Sequence, residues 1–143
     1  ATIFERKIIF FLKLPTLNNY LHYLEQAKLI STLQPAGKST AVLQKPEKIY
    51  LNNTNLLFAL AEQQVDTGNL RETFFLSQIN VMRKITMPKQ GDFFVDNKYT
   101  FEVGGKDKSR KQIAGIKNAW VVKGDLEYPI GNDLPLWIFG LLY

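Results

Sequence analysis

Apolar residues recur along this chain with two different periods, and the switches between them mark out elements. Ile3, Phe4, Ile8, Phe11 and Leu12 fall on one side of a helix over 2–12, which Pro15 ends. Thr16 reads as the N-cap of a second helix, with Leu17, Tyr20, Leu21, Leu24 and Ala27 on its apolar side. Asn18, Asn19, His22, Glu25 and Gln26 take the opposite side. Residues 31–48 are punctuated by Pro35, Gly37 and Pro46, with short apolar pieces at 29–33 and 41–43. This pattern predicts a β-ribbon with a basic tip, and a helix followed by such a ribbon is the second half of a winged helix.

Further along, 49–51 reads as a strand, 52–54 as a turn and 56–61 as an apolar segment that Thr67-Gly68-Asn69 interrupts. Leu70, Phe74, Phe75, Ile79 and Met82 then define an amphipathic helix, expected to be capped by Asn69 with Glu72 in its first turn. Strands are expected at 84–87, 92–95 and 99–103, a helical turn at 112–116 and a buried strand at 119–122. The closing stretch 134–143 is apolar apart from Pro135 and Gly140. Helix, three strands, helix and strand is an α/β (α+β) order with mixed strand pairing. A boundary near residue 47 gives two units, 1–47 and 48–143.

The hairpin over 91–106 is the richest stretch chemically. If Asp96-Asn97-Lys98 forms a three-residue loop, with Asn97 suited to a left-handed conformation, Val95 pairs with Tyr99 and Phe93 with Phe101. Phe93, Val95, Tyr99, Phe101 and Val103 then share the core face. Asp92 comes to lie opposite Glu102, with Cβ atoms roughly 5 Å apart. A two-residue loop would separate the two carboxylates. Facing carboxylates repel unless a cation lies between them or one stays protonated. One way out is a divalent ion such as Mg²⁺, bound at Asp92 and Glu102, with Glu72 nearby and Lys106 stabilising charge on a phosphate. The other is neutralisation of the pair by Lys98, Lys106 or Lys108.

Composition alters this picture in three respects. The 143 residues include no cysteine, which excludes disulfide frameworks and thiolate metal sites and fits a reducing, cytoplasmic setting. The longest apolar run, at 56–61, falls far short of the ~20 residues a membrane span requires, so no membrane partner is expected. A formal net charge of +5, with Lys106, Lys108, Arg110 and Lys111 close together, favours a polyanionic partner. The chain opens on Ala-Thr rather than Met, and is expected to be the C-terminal part of a larger protein.

The stretches KPEKIYLNNTNLLFAL, GNLRETFFLSQI, GDFFVDNKYTFEVGGKDKSRKQI and PLWIFGLLY are similar to the C-terminal half of a large prokaryotic family of AAA-type P-loop ATPases. The resemblance covers about residues 16–143. It implies a winged-helix-like segment over 1–47, possessing only Lys13-Leu14-Pro15 where a further helix belongs, and a restriction-endonuclease-like domain over 48–143. It places Asp92 on the first acidic position of a nuclease-like core, Glu102 on its acidic-x-Lys element and Glu72 on its first-helix acid. Gly104 stands where that element has lysine, and Lys106 is the residue expected to reach back. On the winged-helix side, Asn18, Asn19 and His22 become candidate base contacts, and Lys38 and Lys45 candidate phosphate contacts. Lys108, Arg110 and Lys111 extend the basic surface. The chain holds no GxxxxGK[ST] motif, so ATP would be bound by an ATPase module elsewhere in the parent protein.

Three functions follow as expectations. The first is a duplex-DNA-binding and interaction module of the ATPase, without catalysis of its own. The second is an Mg²⁺- or Mn²⁺-dependent nuclease using Glu72, Asp92, Glu102 and Lys106. The third is a structural domain that oligomerises or regulates the ATPase; Trp137, Phe139 and Tyr143 would then pack on a partner, although burial in the chain's own core is the role expected of this apolar ending.

Overall fold

The structure, a computed structural model, describes residues 14–37 and 46–142. The expected 2–12 helix, the apolar piece at 41–43, the ribbon tip with Lys38 and Lys45, and Tyr143 lie outside them.

Helix α1 spans Leu14–Gln26 and takes in Pro15 in its first turn, instead of starting after it. A first-turn residue has no intrahelical acceptor for its N–H, so proline costs little there. Thr16 therefore lies inside the helix and not at its cap. The polar side of α1 departs from its amphipathic pattern at two positions, Asn18 and Glu25, while Asn19, His22 and Gln26 are exposed. Asn18 is buried, whereas Tyr20, Tyr23 and Leu24 are exposed. Glu25 explains part of this orientation, because its Oε1 accepts from the Thr32 backbone N–H at 3.0 Å and from Thr32 Oγ1 at 2.8 Å. Lys28 ends the helix with a left-handed φ of 59°, which lets the Leu29 N–H return to the Leu24 carbonyl.

The ribbon is formed by β1 (Ile30–Leu33) and β2 (Lys48–Leu51), antiparallel with Ile30 opposite Leu51 and Leu33 opposite Lys48. Its strands thus pair across residue 47. Leu33 and Tyr50 enter the main core beside Phe75 and Phe93. Beyond β1, Ala36 N–H donates to Met87 O and Met87 N–H to Gln34 O, both at 2.8 Å.

Helix α2 (Thr54–Leu60) is capped by the Asn53 side chain, which accepts from the Leu56 N–H. Helix α3 (Thr67–Ile79) is capped by Asp66 and not by Asn69: the Asp66 carboxylate accepts from the Asn69 N–H at 2.7 Å. The start thus moves back one turn, and Glu72 falls in the second. The face of α3 formed by Thr73, Phe75, Leu76 and Ile79 is buried, while Met82 stands exposed beyond its end.

A mixed five-stranded sheet runs in the order β3 (Ile85–Thr86), β4 (Phe93–Val95), β5 (Tyr99–Gly104), β6 (Ala119–Lys123) and β7 (Asp133–Pro135). The first three strands pair antiparallel, whereas β5–β6 and β6–β7 are parallel. The chain is therefore α+β with mixed pairing. The 112–116 helical turn is shorter than its pattern and forms a 3₁₀ turn at Lys111–Ile113. A second 3₁₀ segment, Leu136–Leu141, ends the described chain.

One face of the sheet is closed by α3. Phe75, fully buried, meets Phe93, Phe101 and Phe139 with ring centroids 5.1, 5.2 and 4.8 Å away. Phe139 is core, as the apolar ending suggested, whereas Trp137 is exposed and its Nε1–H donates to the Glu127 carbonyl. The opposite face is covered by the connection between β5 and β6, where Ile113 packs on Ala119 and Val121. Among the described residues no helix is long and apolar enough to cross a membrane.

Candidate functional site: a carboxylate–lysine centre at the open end of the hairpin

The β4–β5 register is the one a three-residue loop requires, with Phe93 opposite Phe101, Phe94 opposite Thr100 and Val95 opposite Tyr99. Asp96 and Asn97 both adopt left-handed conformations, with φ of 53° and 54°. At the other end the ladder stops at the Phe93–Phe101 pair; the Asp92 N–H still donates to the Phe101 carbonyl at 2.9 Å, and its carboxylate turns toward the Val103 N–H, which keeps Asp92 close to Glu102 without a regular pair. Gly91 makes this approach possible. Its φ is +93°, and a Cβ there would stand 2.9 Å from Thr100 Cγ2 and 3.3 Å from the Phe101 carbonyl oxygen.

Strand alternation turns Phe101 and Val103 to the α3 face and Glu102 to the opposite one, where it is completely buried. A buried carboxylate must be paired or protonated. Glu102 is paired: Lys108 Nζ stands 2.5 Å from its Oε1. The Gln112 amide, oriented to donate, reaches Oε1 at 2.6 Å and Oε2 at 3.1 Å. Burial pushes the Glu102 carboxyl above its ordinary range; the Lys108 hydrogen bond opposes that shift, and the charges of Asp92 and Glu72 add to it. Burial pulls the Lys108 ammonium down, but its bond to Glu102 and the surrounding carboxylates outweigh this and hold it above the usual lysine value.

Asp92 anchors the strand end through one oxygen and faces a cation through the other. Its Oδ2 accepts from the Val103 N–H at 2.9 Å, and its Oδ1 lies 3.5 Å from Lys48 Nζ. The same ammonium is 3.6 Å from Glu72 Oε2, which also accepts from the Tyr50 hydroxyl at 2.5 Å. Burial and the Glu72 bond push the Tyr50 phenol far above its ordinary value. A shallow cleft lined by Lys48, Tyr50, Asp66, Asn69 and Glu72 opens beside this group. The wider depression lined by Ala36, Pro88, Phe94, Thr100 and Ile116 contains no carboxylate.

Glu72, Asp92 and Glu102 thus gather as one electrostatic cluster. The expected lysine is another matter: Lys106 stands exposed in the turn after β5, and Lys108 makes the ion pair to Glu102. The expected nucleic-acid contacts are scattered. Asn19, His22 and Lys111 are exposed, but Asn18 is buried. Arg110 is held against the carbonyls of Asn132 and Ala119, 4.0 Å from Asp133. Tyr50, Gln112 and Lys48 were not among the site residues expected from the sequence. The Lys48-x-Tyr50 spacing, which puts both side chains on one face of β2, was the available signal.

The oxygens of Asp92 and Glu102 are hard donors that suit Mg²⁺, which takes one or two carboxylates and keeps several waters. Among the described residues no three His, Cys, Asp or Glu side chains are grouped to hold a metal ion. No protein-family model, curated protein or solved structure matches the chain.

Proposed function

We propose that this chain is the nucleic-acid-binding C-terminal module of a cytoplasmic AAA-type ATPase, built as a partial winged helix and a restriction-endonuclease-like domain. In this reading the carboxylate–lysine centre meets a phosphodiester, and ATP is handled by the ATPase module of the parent protein. The observation that supports it is the complete burial of Glu102 as an ion pair with Lys108, beside Asp92 and Glu72. Buried ion pairs are poor stabilisers, and apolar residues of the same volume often serve a fold better. Perturbed titratable groups packed together are more characteristic of sites than of cores.

A second reading, metal-dependent phosphodiester cleavage, is favoured by one contact. Lys108 lies across Gly104 and delivers an ammonium to Glu102, doing in space what the acidic-x-Lys element does in sequence. Bound Mg²⁺ would supply neutralisation of charge on the phosphate. Asp92 and Glu102 would hold it, Lys108 would stabilise charge on a non-bridging oxygen, and Gln112 would keep the Glu102 carboxylate oriented.

The test is titration of labelled duplex DNA across a salt series, then incubation of plasmid with Mg²⁺ or Mn²⁺. Binding in the ~1–100 μM range that weakens steeply with salt is expected. No binding at ~50 mM salt sinks the proposal, and a defined oligomer without DNA affinity would assign the domain a structural role. Nicking that disappears with EDTA and in Glu102→Ala establishes cleavage. Nicking unchanged in that variant excludes this centre.

A further inference from the structure

The carboxylates of the centre lie deeper than its ammonium groups. Glu102, Asp92 and Glu72 side chains are 0, 14 and 25% exposed, against 30% for Lys108 and 35% for Lys48. An approaching anion therefore meets the lysines first. Lys108 comes from the connection that follows β5, but Lys48 is the first residue of β2 and belongs to the ribbon. Its ammonium is shared between Glu72 and Asp92 at 3.6 and 3.5 Å, longer than the 2.5 Å of the Lys108 pair. It also lies 5.9 Å from the Tyr50 ring centroid. A cation so loosely shared keeps donor capacity for a third oxygen, because an ammonium has three N–H groups. Deep ribbon residues hold it in place, with Tyr50 and Leu33 packed in the main core.

We infer that Lys48 is a backbone-phosphate ligand supplied to the centre by the ribbon, so that the phosphodiester site is complete only when ribbon and sheet are assembled. This rests on the nucleic-acid reading above and adds the residue that makes the contact. Lys48 swings from the carboxylates toward a phosphate oxygen without leaving the cleft, and no covalent step is involved.

The experiment compares wild type, Lys48→Gln and Lys48→Arg for binding of a short DNA duplex over a salt series, with circular dichroism as the folding control. Lys48→Gln is expected to reduce the slope of log K against log salt by about 0.9, the value of one lost phosphate contact, while Lys48→Arg retains it. In parallel, wild type is labelled with an amine-reactive reagent with and without duplex, and Lys48 is followed by mass spectrometry. Lys98, at the far end of the hairpin, is the internal control. Protection of Lys48 but not Lys98 is expected, and this readout needs no variant to fold. A wild type that binds DNA with Lys48 unprotected, or with an unchanged slope in Lys48→Gln, overturns the inference alone. A wild type that binds no DNA overturns the nucleic-acid reading and this inference with it.

Discussion

Lys108 lies across Gly104: a Cβ added to Gly104 would stand 2.7 Å from both Cγ and Cδ of Lys108 and 2.8 Å from its Cβ. The absence of a side chain at position 104 therefore makes the passage through which Lys108 reaches Glu102. Because those atoms belong to the lysine stem and not its mobile end, Gly104→Ala must displace Lys108. We expect a loss of about 1–3 kcal/mol, the usual cost of overpacking, read by denaturant unfolding. Unfolding midpoints equal to wild type would contradict the contact.

Removing the cation alone gives a pH signature. Lys108→Met leaves Glu102 buried opposite Gln112 without its charge partner, a change that costs about 3–5 kcal/mol when the carboxyl is ionised. Burial already raises the Glu102 carboxyl, and loss of the opposing Lys108 bond raises it further. A carboxyl raised on folding binds its proton more tightly in the folded state, so its penalty is full above the folded pKa and vanishes below the unfolded one. The deficit of Lys108→Met relative to wild type should shrink as pH falls from about 8 toward about 5, as measured by thermal melts. A deficit independent of pH would mean that Glu102 is not the group left uncompensated.

Moving the lysine tests whether its place in sequence matters. The double variant G104K/K108A puts the ammonium at the motif position and removes the stem that fills that space. If the centre binds phosphodiesters through this cation, the double variant should exceed K108A in duplex affinity by several-fold. Equal affinities would show that the amine at this position is irrelevant to binding.

The core makes a prediction independent of function. Phe75 is fully buried among Phe93, Phe101 and Phe139. Phe75→Ala should cost about 3–5 kcal/mol, measured by chemical denaturation. At the hairpin loop, Asn97 has φ 54°, so Asn97→Gly should be neutral or slightly stabilising, whereas Asn97→Val should cost about 1–2 kcal/mol.

The strands 92–95, 99–103 and 119–122 were legible because alternation is a local property, and Phe93, Val95, Phe101 and Val103 declare the buried face without help from the rest of the chain. The start of α3 was misplaced by one turn, since Asp66 and Asn69 are both good caps and local preference does not separate them. On α1 the amphipathic pattern held only in part: Asn19, His22 and Gln26 are exposed as expected, but Asn18 is buried and Glu25 is tied to Thr32 of the ribbon.

By itself, then, the sequence determined the α+β order and the hairpin register, both consequences of a period-2 pattern and a three-residue loop, and that register leaves Asp92 and Glu102 near each other without pairing them directly. Only the tertiary structure decided which lysines serve that pair. Lys48 comes from 44 residues before Asp92, and Lys108, not Lys106, finds the way over Gly104. Pairings of this kind depend on where packed elements bring long side chains and on which space a missing Cβ leaves open, and neither is written into local propensity.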